Sequence, residues 1–120
     1  MILHPIFYRK HDVVALWDGQ TYEGEWLNGK HEGHGVWTSP DGQRYEGAWQ
    51  NGYRNGQGLQ TWPSGSRYDG VWLNNQKHGH GVETSPDGRR CEGEWLNNEL
   101  SAGMLEIFYW KCVSNLYSRS

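Results

Sequence analysis

Residues 22–35 read YEGEWLNGKHEGHG and combine four glycines with two of the largest side chains, Tyr22 and Trp26. The alternation Tyr-x-Gly-x-Trp has a period of two, which places both rings and the glycine between them on one face of a strand. The dipeptide Asn28-Gly29 is a strong signal for a tight hairpin turn. The stretch therefore predicts a strand, a turn and a second strand that contains Gly-x-Gly.

The same pattern returns three times at a constant spacing. Related segments begin at Asp18, Asp41, Ser64 and Asp87, so the repeat period is 23 residues without an insertion. A second turn, Ser-Pro-Asp-Gly, follows two of the hairpins, with proline where the turn needs its fixed φ. Each unit is thus a β-hairpin, and consecutive hairpins predict an all-β fold, an antiparallel meander.

Glycine pairs follow the aromatic positions in three units, at Gly33 and Gly35, Gly56 and Gly58, and Gly79 and Gly81. A glycine in a strand leaves a slot in which an aromatic ring can lie. We therefore predict that these glycines are structural and that they lie beneath the rings of Trp26, Trp49 and Trp72. An apolar column follows the glycines, and a bulge nearby would decide its face. The sequence leaves that face open for Val36, Leu59 and Val82.

Composition narrows the class of function. The chain has 120 residues, 17 glycines, eight tryptophans and a formal net charge of −3. The aromatic content argues against disorder, and the acidic balance argues against a general nucleic-acid binder. No stretch is long and apolar enough for a membrane span, and the first residues lack a signal-peptide pattern. We expect a cytoplasmic protein, free or held at a membrane or cytoskeletal surface.

The motifs of an enzyme are missing from this sequence. Acidic residues two positions apart, such as Glu23 and Glu25, recur with the period, which is typical of a solvated strand face rather than a catalytic pair. The Gly-x-Gly pairs lack the helix that follows a nucleotide-binding loop. The two cysteines, Cys91 and Cys112, are too few for a disulfide framework and show no zinc-ligand spacing. We expect no catalytic residue, no metal and no cofactor.

These units resemble MORN repeats (membrane occupation and recognition nexus), a 23-residue module with Tyr-x-Gly-x-Trp-x-Asn-Gly followed by Gly-x-Gly. The resemblance covers about four units, the last degenerate because Cys91 replaces the tyrosine. It implies a single-layer, elongated, twisted antiparallel sheet with a groove on one side, and repeats that do not themselves catalyse. The chain then divides into an N-terminal partial repeat at 1–17, the repeats at 18–105 and a C-terminal cap at 106–120.

The family's proposed roles are protein scaffolding, self-association and binding of acidic phospholipids. The first predicts a groove for a helix or peptide of another protein, lined by Tyr22, Trp26, Tyr45, Trp49, Tyr68, Trp72 and Trp95. The other interpretation of these rings is that they only hold the sheet together.

The phospholipid alternative rests on one arginine in each of three units, Arg44, Arg67 and Arg90. Each has an acidic residue two positions on, which would offset much of its charge. A second basic column consists of His31, Arg54 and Lys77, near the hairpin tips.

The stretch MLEIFYWKCVSNLY, residues 104–117, interrupts the period. It predicts a strand or short helix that folds back over the sheet edge, with a homodimer or membrane contact as the alternative. A rival of another class is a secreted choline- or carbohydrate-binding repeat, which also uses aromatic hairpins. The phasing of Tyr-x-Gly-x-Trp and Gly-x-Gly fits MORN repeats better, and this resemblance implies a non-enzymatic protein-binding or scaffolding module.

Overall fold

The computed structural model describes residues 9–16, 18–100 and 110–114, and the regular structure in these ranges is all β-strand. The strands are β1 (Arg9–Ala15), β2 (Thr21–Leu27), β3 (Lys30–Thr38), β4 (Arg44–Gln50), β5 (Tyr53–Thr61), β6 (Arg67–Leu73), β7 (Gln76–Thr84), β8 (Arg89–Leu96), β9 (Glu99–Leu100) and β10 (Trp110–Ser114). A search of the same ranges finds no helix with the length and apolar character needed to cross a membrane.

The strands form one open antiparallel sheet. They follow each other in chain order from β1 to β8, with β10 next to β8 and β9 also paired with β8. The molecule measures 66 × 30 × 19 Å, and its radius of gyration of 17.1 Å exceeds the value of about 14 Å for a compact domain of this length. The predicted all-β, elongated antiparallel meander is confirmed.

An asparagine occupies the first position of each hairpin turn. The turn residues are Asn28 and Gly29, Asn51 and Gly52, Asn74 and Asn75, and Asn97 and Asn98. Every one of them has a positive φ, between 49° and 87°. Two successive positive φ values define a type I′ turn, whose twist matches that of the flanking strands. Asparagine and glycine are the residues that adopt this conformation at least cost.

Each of the first three complete hairpins contains a bulge beside its Gly-x-Gly. In the first, Gly24 pairs with Gly35 while Trp26 pairs with His31, so three residues of β3 lie opposite one residue of β2. The same shift recurs between β4 and β5 and between β6 and β7. Because two residues are inserted, side chains on either side of the bulge keep their alternation.

The apolar column lies on the face away from the tyrosines. Trp37 pairs with Tyr22 and Tyr45, so the next residue back along β3, Val36, points to the other side of the sheet. There Val36 lies between Glu23 and Glu46 on the neighbouring strands. Leu59 and Val82 occupy the equivalent positions in the next two units.

A row of glycines crosses the sheet at right angles to the strands. Each member pairs with the next one on the adjacent strand, through Gly24, Gly35, Gly47, Gly58, Gly70, Gly81 and Gly93. A Cβ atom on Gly47 would overlap the Cα atom of Gly58 and the carbonyl oxygen of Gln57. The neighbouring backbones therefore approach more closely along this row than any other residue would permit.

The outer edge of β8 is occupied by two short strands. β9 pairs with the end of β8 at Trp95 and Leu96, and the backbone of β10 pairs with its beginning. In that register Cys112 lies opposite Cys91, and Cys91 is disulfide-bonded. The predicted dimer contact and the remainder of the 1–17 and 106–120 segments lie outside the described residues.

Candidate binding face

One face of the sheet carries a continuous ladder of aromatic rings, and we call it the ring face. Tyrosines and tryptophans alternate along it and meet edge to face, with centroid separations of 4.9 to 5.5 Å and interplanar angles of 81° to 90°. The order is Trp26, Tyr22, Trp49, Tyr45, Trp72, Tyr68 and Trp95. This edge-to-face geometry is the favourable arrangement for aromatic pairs.

The tyrosines lie over the glycine row. A Cβ atom on Gly35 would overlap the hydroxyl end of the Tyr22 ring, and Gly58 stands in the same relation to Tyr45 and Gly81 to Tyr68. The prediction that tryptophans cover the Gly-x-Gly pairs is thus wrong about which ring does so. Register explains the difference. Tyr22 pairs with Trp37, two residues from Gly35, so its ring reaches Gly35 diagonally, whereas the bulge places Trp26 opposite His31.

The tryptophans hold the same glycines through a hydrogen bond. The indole N–H of Trp49 donates to the carbonyl oxygen of Gly35 at 3.1 Å, and the indoles of Trp72 and Trp95 donate to Gly58 and Gly81 at 3.3 and 3.0 Å. The first unit departs from this pattern, since the buried Nε1 of Trp26 has no hydrogen-bond partner among the described residues. The tryptophans of the later units are therefore hydrogen-bonded to the sheet, whereas Trp26 of the first unit is only packed on it.

The ladder is buried except at Trp26, which is partly buried, and this burial bears on the predicted protein-binding groove. The side chains of Tyr22, Tyr45 and Tyr68 are 0% exposed, and those of Trp49, Trp72 and Trp95 are 7%, 3% and 7% exposed. Each tyrosine hydroxyl donates to a main-chain carbonyl, that of Tyr45 to Ala48 at 2.8 Å. Burial raises the pKa of Tyr22 to about 12 and raises those of Tyr45 and Tyr68 as well. These rings support the sheet and offer almost no surface to a partner.

Three side chains lie over the ladder, and we call His31, Arg54 and Lys77 the covering residues. The imidazole of His31 stacks on Tyr22 with 3.8 Å between centroids and 8° between planes. The guanidinium of Arg54 lies 4.5 Å from the ring centre of Trp72. The Lys77 ammonium lies 4.9 Å from that of Trp95 and 5.4 Å from that of Tyr68. The second basic column of the sequence is therefore part of the packing, held by stacking and cation–π contacts.

Arg54 and Lys77, the cationic covering residues, each have a polar partner six residues further along the chain. Nζ of Lys77 forms an ion pair of 2.8 Å with Oε1 of Glu83. Nη1 of Arg54 donates to Oε1 of Gln60 at 3.0 Å, and Gln60 is itself 0% exposed. The sequence analysis missed the column of residues that faces the covering residues, which consists of Trp37, Gln60 and Glu83. Its signal was present, because these residues recur with the 23-residue period six positions after the covering residues.

Two open cavities lie on the ring face. One, of about 260 Å³, is lined by His31, Trp37, Gln43 and Arg54 among others. The second, of about 470 Å³, has Trp62, Lys77, Glu83 and Gln43 in its wall. The accessible surface of this face is therefore made of amides, covering residues and partly exposed tryptophans rather than of the ladder itself.

The predicted arginine stripe lies on the opposite face. Nη2 of Arg44 pairs with Glu46 at 3.1 Å, and Nη1 of Arg90 pairs with Glu92 at 3.0 Å. Arg67 lines a cavity of about 300 Å³ together with Asp69, its neighbour two residues on. The acidic residues offset the arginine charges, as their spacing predicts. No cluster of histidine, cysteine, aspartate and glutamate side chains in the described ranges is arranged to hold a metal ion.

Burial of His31 predicts an acid-sensitive stability. Burial lowers the pKa of this imidazole from 6.5 to about 4, so the unfolded chain binds the proton first as the pH falls. Stability that is complete above pH 6.5 should therefore decline between pH 6.5 and about 4. Urea midpoints measured across this range should fall less in His31→Leu, which copies the equivalent Leu100. His34→Leu, at an exposed histidine, should keep the wild-type slope, and an unchanged slope in His31→Leu would contradict the assignment.

Comparison with known proteins identifies the family of these repeats. The family model described as MORN repeat matches residues 22–44, 45–67 and 68–89, three consecutive units that together span more than half of the chain. Strands β8 and β9 supply the hairpin of a fourth unit beyond the matched range. No curated protein matches the chain.

Proposed function

The chain belongs to the MORN repeat family, and from this premise we propose that it is a non-enzymatic binding or scaffolding module that engages another protein through its ring face. Repeats of this family are in general protein- and membrane-interaction modules without catalysis of their own. The observation that carries the proposal is the pair of open cavities on the ring face, between the covering residues and the partly exposed Trp37 and Trp62. Partly exposed tryptophans beside hydrogen-bonding side chains are typical of protein contact surfaces.

The surface proposed here differs from the groove expected from the sequence. The tyrosines and tryptophans of the ladder lie beneath this surface. A helix or peptide would contact the covering residues, the glutamine side chains and the partly exposed Trp37 and Trp62. The buried ladder fixes the strands and so keeps this surface in one shape before a partner arrives. A preformed surface loses little conformational entropy on binding, which favours affinity.

The charge pattern supports a protein partner over an acidic membrane. The arginines that would meet lipid head groups lie on the opposite face, and Arg44 and Arg90 are already paired with carboxylates. A choline-binding function would need an exposed aromatic cage, whereas the ladder tyrosines are fully buried. Both alternatives therefore have less support than protein binding.

Face-specific photocrosslinking tests the proposal. A photoreactive p-benzoylphenylalanine is placed at Gln43, which lines both cavities of the ring face, or at Gln57, which is exposed on the opposite face. In extract of the cells that produce the protein, we expect the Gln43 probe to join one discrete protein, and the Gln57 probe to join none. Equal adducts from both positions, or adducts from Gln57 alone, would show that the ring face is not the contact surface.

A further inference from the structure

Arg54 differs from the other two covering residues in its charge balance. Lys77 has its anion, since Glu83 lies 2.8 Å away. His31 is neutral near pH 7 because burial lowers its pKa to about 4. Arg54 occupies the same position in the second unit, but Gln60 stands where the third unit has Glu83. A neutral amide has replaced the carboxylate that would balance the guanidinium.

The hydrogen bonds of Arg54 confirm that its described partners are neutral. Nε donates to Oδ1 of Asn75 at 3.2 Å, Nη2 to the main-chain oxygen of Asn75 at 3.0 Å, and Nη1 to Gln60 at 3.0 Å. A guanidinium has five N–H donors. Two of them, one on each terminal nitrogen, have no acceptor within the described ranges. A carboxylate that bridges the two terminal nitrogens of a guanidinium accepts one N–H from each of them.

The surroundings of Arg54 make its positive charge unfavourable when no anion is close to it. Burial lowers the pKa of Arg54, which means that the site disfavours an uncompensated positive charge. The guanidinium is also held in place, by the face of Trp72 at 4.5 Å and by Asn75. A cation that is fixed, partly desolvated and without an anion is suited to receive one from outside.

Arg54 lines the 260 Å³ cavity on the ring face, together with Gln20, Trp37, Gln43 and Trp49. We propose that this cavity receives an aspartate or glutamate side chain from an acidic segment of the partner protein, with its carboxylate on Arg54. This inference rests on the proposed function, because it names the chemistry of the partner that the ring face binds.

Charge favours a carboxylate over a phosphate group. A single guanidinium carries one positive charge, which a carboxylate matches, whereas a phosphate would bring an excess. The two neighbouring covering residues cannot supply the difference, because one is neutral and the other is paired.

Arginines on the opposite face are less suited to receive an acidic segment. Arg44 and Arg90 are already paired there with Glu46 and Glu92, so their charges are balanced within the sheet.

Titration with a labelled oligoglutamate tests this inference. We expect its fluorescence anisotropy to rise saturably with the wild-type protein below about 1 mM at low salt, with no rise for oligoglutamine. Arg54→Gln should weaken the binding by about tenfold or more, since a charge-assisted pair is lost. Arg67→Gln is the matched control, because it removes the same charge from the opposite face, and it should bind as the wild type does.

Arg54→Leu guards against a folding artefact, since Leu100 occupies the equivalent position in the fourth unit. It should keep a cooperative thermal transition and lose oligoglutamate binding as Arg54→Gln does. Wild-type affinity in both Arg54 variants, or no saturable binding by the wild type, would overturn the inference. Displacement of the labelled oligoglutamate by inorganic phosphate at the same concentration as by unlabelled oligoglutamate would indicate a phosphate site. That result would also overturn the inference. Ring-face photocrosslinking that succeeds while oligoglutamate fails would leave the proposed function standing without this inference.

Discussion

Replacing Gly58 with alanine should lower the free energy of unfolding by about 3 kcal/mol or more, at the upper end for an overpacked core. The new methyl group would overlap the hydroxyl end of the Tyr45 ring, at Oη, Cζ and Cε1. That ring is 0% exposed, and its hydroxyl donates to the carbonyl of Ala48, so it cannot move aside without losing its contacts. Urea denaturation followed by circular dichroism measures the loss.

Gly52 provides a matched control for this substitution. A Cβ atom there meets nothing within 4 Å, and the equivalent turn positions already carry Asn75 and Asn98 at φ values of 73° and 74°. Gly52→Asn should therefore change the free energy of unfolding by less than about 0.5 kcal/mol, as surface substitutions generally do. If Gly58→Ala unfolds at the same urea concentration as Gly52→Asn, the ring does not pack on the glycine row.

Trp72→Ala should be nearly as damaging, with a loss of about 3–5 kcal/mol for a large buried ring. The indole joins Tyr45 and Tyr68 at 5.5 and 5.2 Å and supports the guanidinium of Arg54. Its removal also takes the donor from the carbonyl of Gly58. Because each unit contacts only its neighbours, a gap in the middle separates the two halves of the array. Thermal and urea unfolding would show a lower midpoint and a broader transition.

Trp26→Ala is the natural comparison, because it removes the same side chain from the start of the ladder. Trp26 meets Tyr22 and His31, and its Nε1 has no hydrogen-bond partner among the described residues. It should lose clearly less stability than Trp72→Ala. Equal losses at both positions would mean that the rings act independently and that the ladder transmits no coupling.

The hairpin array was predictable from the sequence because its signals are local. Asparagine and glycine at positions 28 and 29 specify a type I′ turn by conformation alone, and the constant period shows that the next unit repeats the first. The pairing within the array was not predictable. Each bulge inserts two residues beside Gly-x-Gly, and only this register shows that Tyr22 rather than Trp26 lies over Gly35.

The candidate site was predictable only in part. The sequence shows the periodic aromatic columns and the second basic column. It does not show that the aromatic rings are buried, because their burial depends on where the basic side chains lie. A column of His31, Arg54 and Lys77 on a strand is consistent with an exposed stripe until the rings beneath it are in place. The second unit has Gln60 where the third unit has Glu83. The consequence of this difference becomes clear only from the structure, which shows that Gln60 contacts Arg54 as Glu83 contacts Lys77.

The central claim is that buried tyrosines on a glycine row hold this single-layer sheet together, so that binding belongs to the residues above them. The proton chemical shifts of glycine Hα atoms test it most directly, because the ring current of a tyrosine displaces the shifts of protons packed against it. One Hα of Gly58 should be displaced from its random-coil position in the wild type and return toward it in Tyr45→Leu, while Gly52 stays unchanged. Ordinary Hα shifts for Gly35, Gly58 and Gly81 in the folded wild-type protein would contradict the claim.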